Sequence, residues 1–140
     1  MKERMIQKAI ADAINLSAEW PTTAPVIVAE PGNVITQIET DLGKTGLCAI
    51  VGEPDQMESV YGASGFVQSS DWVISVFTSE IMNSTQLDNL SACLLIRKLL
   101  GETNPSNLFA EPISRFRIRY TGMHENVVAR DVTFQAAYQS

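Results

Sequence analysis

At 140 residues the chain has the size of one domain, enough for a single substantial core and too little for two. It is 45% hydrophobic and 19% charged, and no run approaches the ~20 apolar residues of a membrane helix, so it reads as a soluble protein made in the cytoplasm. A formal net charge of -6 and a pI near 4.7 argue against a protein whose main business is gripping phosphate backbones, while leaving room for a local basic patch.

The first predicted element is an amphipathic helix over residues 3–16. Ile6, Ile10, Ala13 and Ile14 share one side, Met5 and Ala9 widen it, and Lys2, Glu3, Gln7 and Asp12 lie elsewhere. Pro21 and Pro25 in WPTTAP forbid a continuation, because each lacks an amide and biases the residue before it toward extended geometry. Residues 26–28 are either a short strand or the lead into the next turn. Asn33 is placed to cap a second helix from Val34 to about Leu42, which Gly43 and Gly46 then stop. Residues 47–51 read as a strand bounded by glycines. Residues 52–70, rich in Gly, Ser, Asp and Glu, form a loop or a loose hairpin arm in which 65–68 pairs with a neighbour.

Residues 72–100 hold the strongest signals. Trp72, Ile74 and Val76 alternate with Val73, Ser75 and Phe77, which predicts a strand with apolar members on both faces, hence a central or covered one. After Asn83 the period turns helical, with Leu87, Leu90, Leu94, Leu95 and Leu99 as the apolar face. Ser84 or Thr85 serves as the cap, Asp88 completes a capping box, and Gly101 closes the helix. An irregular stretch over 101–112 leads to a strand at 113–120, in which Phe116, Ile118 and Tyr120 alternate with Arg115, Arg117 and Arg119. A turn around 122–126 joins it to a last strand from Val127 or Val128 to Tyr138, with Val132, Phe134, Ala136 and Tyr138 on one side. So short a connection makes the last two strands antiparallel. The whole predicts one α+β domain over 1–140, helices packed on a mostly antiparallel sheet with a protruding loop or hairpin; the repeated βαβ units of a doubly wound fold are missing.

The residues of catalysis are sparse. His124 is the single histidine and lies in a turn beside Glu125, where a solvent-facing side chain is the plain reading and a general base the sharp one. Cys48 and Cys93 sit in separate apolar runs and read as buried free thiols rather than a disulfide or a nucleophile. Gly43, Lys44 and Thr45 copy the end of a phosphate loop, but the leading glycine is missing and a helix precedes them where a strand is required. Glu53 and Asp55 flank Pro54 with no partner acid or base and read as a solvated turn. No cofactor or metal is called for.

Two groups of residues point instead to contacts. Arg115, Arg117 and Arg119 project from one strand about 6.6–7 Å apart. They fit a solvated sheet face paired with acids such as Asp131, a protein interface, or nucleic acid; the acidic balance ranks protein above nucleic acid. Met57, Val60, Tyr61 and Phe66 place large apolar groups in the 52–70 stretch, where they either fold back over the core or meet another chain.

With its strand SSDWVISVFTSEI, its helix TQLDNLSACLLIRKLLG and its final strand ARDVTFQAAYQS, the chain resembles the tail terminator and tail-completion proteins of long-tailed bacteriophages and prophages, the minor tail protein U type among them. The likeness covers most of the chain and rests on architecture rather than an invariant motif. It implies a structural virion protein without catalytic activity or cofactor. Such a protein forms a homo-oligomeric, hexameric ring on the head-proximal end of the tail tube, stops tube polymerisation and meets head-completion or neck proteins, while DNA passes through the lumen without specific binding. It implies a place in the virion, at the tail or neck, after synthesis in the host bacterial cytoplasm, with no membrane involved. Residues 52–70 would then be the protruding contact loop or hairpin. The competing readings are another neck or baseplate component and a monomeric ligand-binding or regulatory α+β domain whose three arginines grip an anion.

Overall fold

The computed structural model describes residues 2–29, 32, 34–53, 56–62, 65–101 and 113–139. Along the chain these form α1 (Lys2–Asn15), β1 (Ile27–Val28), α2 (Val34–Lys44), β2 (Leu47–Val51), β3 (Gln56–Gly62), β4 (Gly65–Ser79), α3 (Asn89–Gly101), β5 (Ser114–His124) and β6 (Val127–Gln139). All six strands make one sheet in the order β1-β2-β4-β6-β5, with β3 also paired to β4. Only β1 and β2, joined through α2, run parallel; every other pair is antiparallel. The architecture is α+β, with three helices on a mostly antiparallel sheet.

β4 organises this sheet, and it is far longer than its six-residue apolar core. β2 pairs with it as far as Val51 opposite Ile74; the Gly52 amide then donates to the Val73 carbonyl at 2.9 Å, and β3 resumes on the same edge with Gln56 opposite Asp71. β2 and β3 are two halves of one interrupted strand, folded onto β4 as a long hairpin. On its other edge β4 pairs with β6 from Ser79 opposite Val127 to Val67 opposite Gln139. The 52–70 stretch therefore takes the hairpin form of the two readings. β5 reaches along β6 only to Ser114 opposite Gln135, so past that point the sheet narrows to β3, β4 and β6.

The alternation of β4 decides what each face carries. Trp72, Ile74 and Val76 are fully buried and face α1 and α3 together with Leu47, Ala49, Val51, Val132 and Phe134. Ile6, Ile10 and Ile14 of α1 are likewise fully buried, at about 1.5–3 kcal/mol of transfer free energy each. Met5 departs from the expected face and is 59% exposed, since it sits one residue around the helix from Ile6. α2 lies against the opposite face of the sheet, where the Cys48 thiol donates to Asp41 Oδ2 at 3.6 Å. Its first residue is Val34, as expected, but the helix runs through Gly43 to Lys44; the expected cap Asn33 lies outside the described residues.

α3 differs from its predicted form in both start and rotation. Asp88 is its cap: the Ser91 amide donates to Asp88 Oδ1 at 2.7 Å, which holds the Asp88 carboxyl below the usual carboxylate range. Ser84 and Thr85 belong to the preceding turns, where Thr85 bonds the Asn83 side chain instead. The buried side is Asn89, Ala92, Cys93, Leu95, Ile96 and Leu100, while Leu90 and Leu94 are 44% and 40% exposed. Asn89 fixes that rotation. Its amide nitrogen contacts the carbonyls of Val76 and Val128 at 3.0 and 3.1 Å and Thr78 Oγ1 at 3.1 Å, and its Oδ1 accepts from Arg130 Nη1 at 2.9 Å. A side chain bonded to two strands outweighs the gain from burying two further leucines.

Candidate functional site along the outer strand

β5 ends the sheet, so its outer edge has no strand partner among the described residues. Two register shifts, between Ser114 and Arg117 and between Tyr120 and Gly122, interrupt its pairing with β6. At the first, Arg115 has φ 56, in the left-handed region that costs a residue with a β-carbon roughly 1–2 kcal/mol. The strict alternation expected of 113–120 holds for Phe116 and Ile118, which pack on the core, but Tyr120 is 55% exposed. The expected turn is also tighter than 122–126. Glu125 and Asn126, at φ 50 and 68, supply the two positive φ values of a primed two-residue hairpin turn, and Gly122 lies within β5.

The three arginines line one groove. With Asp71, Val73 and Ser75 of β4 and Asp131, Thr133 and Gln135 of β6 they enclose a space of about 440 Å3 on the open part of the sheet face that α2 leaves uncovered. Arg115, Arg117 and Arg119 are all exposed. Arg119 stands opposite Asp131 in register, yet among the described residues no hydrogen bond or ion pair within 4.0 Å engages any of the three guanidinium groups. Of the alternatives left open for these arginines, pairing with Asp131 is thus not the arrangement found, although Asp131 lines the same groove.

Beyond the arginines the same strand becomes apolar. Tyr120 is covered on one side by the Arg130 guanidinium, 5.3 Å from its ring centre, and borders with Met123 and Leu90 a groove of about 650 Å3 beside α3. On the other side Met123, Val127 and Phe77 face Ile35, Ile38 and Leu42 of α2 across a second groove of about 500 Å3. Met123 and Ile35 are 57% and 73% exposed. Sequence reasoning missed this apolar end, because Ile35 and Tyr120 matched core periodicity and Met123 fell in a stretch read as turn. The signal was Gly122, whose bulge turns the residues around it outward.

Of the other candidates, β3 and β4 bring Tyr61 into register with Phe66, with Val60 opposite Val67 and Met57 opposite Ser70. The side chains of Met57, Val60, Tyr61 and Phe66 lie outside the described residues. His124 is 91% exposed at the rim of the α2 groove, 3.9 Å from the equally exposed Glu125 carboxylate. Asp55 lies outside the described residues, and Glu53 is exposed. Among the described residues no group of three or more His, Cys, Asp or Glu side chains is placed to hold a metal, and no helix is long and apolar enough to cross a membrane.

Cys48 and Cys93 are free and buried, and burial is the first cause that pushes both thiols up to about 12. Neither is expected to react with a disulfide reagent at pH 8 in the native protein, and both should react once denaturant is added. Their raised folded values also set a sign. In the unfolded chain the thiols ionise near 9.0, so stability should fall as pH rises from about 9 toward 12; a midpoint in urea that holds steady over that window would contradict the burial.

A comparison with protein-family models finds no match, and a comparison with curated proteins finds none either. Among solved structures the chain is similar to one chain of the "Virion of native gene transfer agent (GTA) particle", with a TM-score of 0.62 and 16% identity over 96% of this chain and 95% of that one. At that identity the likeness establishes a shared fold along essentially the full length of both chains.

Proposed function

We propose that this protein is a structural subunit of a phage-like virion, and within that class a tail terminator. In this role copies assemble into a closed ring that caps the head-proximal end of the tail tube and presents its other side to a head-completion or neck protein. The observation that carries the reading is the end-to-end fold likeness to a chain of a gene transfer agent virion. Its support from the molecule itself is an outer strand whose arginines are exposed and, among the described residues, unpaired, and whose Tyr120 and Met123 are more than half exposed. A subunit with one face that copies the tube contact and another that cannot recruit a further layer ends polymerisation. In the same reading the arm of β3, β4 and β6 meets neighbouring subunits or the tube through Met57, Val60, Tyr61 and Phe66. The role uses no cofactor and no catalytic group.

The experiment is to add the purified chain in excess to its cognate tail tube protein as that protein polymerises. Capped tubes should be shorter and should carry this protein at one end. Tubes of unchanged length, without it, would contradict the proposal.

A further inference from the structure

We infer that Arg115, Arg117 and Arg119 form the positive half of a contact between copies, in which the outer strand of one subunit takes an acidic surface of the next. The inference rests on the self-assembly proposed above and assigns the side chains that drive it. Three guanidinium groups stand on one strand, exposed and unpaired among the described residues, and line a common groove. Arg115 occupies a backbone conformation that glycine would adopt more cheaply, and such outliers cluster at functional surfaces.

Charge selects the occupant. Taking these three from the ten lysines and arginines leaves seven against 16 acidic residues, so a second copy of this chain presents an acid-rich surface. Nucleic acid fits less well, because a continuous row of phosphates would have to pass Asp71 and Asp131 in the same groove, whereas a protein surface can set neutral or basic side chains opposite them. Geometry follows from the charge. An arginine strand lying on a twofold axis would meet its own copy, like against like; off that axis it meets an acidic surface of the next copy, reciprocally in a twofold dimer or one way in the head-to-tail contact that the proposed ring uses. Head-to-tail contacts of that kind close into rings or run on as filaments.

The test is the association constant of the full chain, by light scattering, against salt and substitution. Between about 0.05 and 0.5 M salt the dissociation constant of the wild-type oligomer should rise at least about tenfold. Arg117→Glu with Arg119→Glu should raise it at least about tenfold at low salt. Arg115→Gly should keep or improve thermal stability while weakening association, which separates contact from folding. Benzoylphenylalanine in place of Arg119 should crosslink on irradiation to a second copy. An oligomer as tight in the charge-reversed chain as in the wild type would overturn this inference and leave the assembly reading standing. Duplex DNA binding lost with the same pair of substitutions, from an otherwise intact oligomer, would reassign the strand and overturn it too. A wild-type chain that never associates would remove both.

Discussion

Gly46→Val should destabilise the protein by about 3 kcal/mol or more and lower Tm by roughly 10 °C. Gly46 follows α2 at φ 78, and a β-carbon there would stand 2.4 Å from the Asn83 backbone nitrogen. Both partners are pinned. The Gly46 carbonyl accepts from the Ser79 amide at 2.8 Å, and the neighbouring Thr45 carbonyl accepts from the Ser84 amide at 2.9 Å. The turn after α2 is therefore clamped to the turn after β4, and a side chain at 46 must break the clamp as well as adopt a left-handed φ. Thermal unfolding with a circular dichroism readout measures it. A shift below about 2 °C would mean that these two turns separate at little cost.

Asn89→Leu should cost about 2–3 kcal/mol, although leucine is nearly isosteric and a better helix former. The substitution removes an amide that bonds strands β4 and β6 from within α3 and leaves Arg130 without its 2.9 Å acceptor beside the core. With the anchor gone, Leu90 and Leu94 gain the chance to rotate inward, so the variant should also lose near-UV signal while keeping its helix content. Urea denaturation gives the magnitude. Unchanged stability would show that the leucines, and not Asn89, set how α3 sits.

The same two residues mark where the sequence was legible and where it was not. Period-two and period-3.6 patterns placed α1, α2, β2, the heart of β4 and the β5–β6 hairpin, because those signals come from burial and burial repeats along an element. They misjudged α3, because a lone buried asparagine leaves no periodic trace and its partners are 11 to 41 residues away in the chain. The length of β4 was hidden too. Its outer half pairs with β3 and β6 through backbone bonds that any residue can make, and Gly65, Ser69 and Ser70 read as loop. At the candidate site, the arginines were visible as an alternating run. Their lack of a bonded acid among the described residues was not, since the register of Arg119 with Asp131 favours a pair. The apolar end was lost in part to a local irregularity: beside the bulge at Gly122, Tyr120, which matched a core pattern, lies at the surface.

The central claim, that copies of this chain close into a ring, is tested most directly by its mass in solution. Light scattering across a concentration series should give a species of about six times the 15.3 kDa of one chain, its mass constant above the association threshold as closure requires. A folded chain that stays at 15.3 kDa at every concentration, or one whose mass grows without limit, would contradict it.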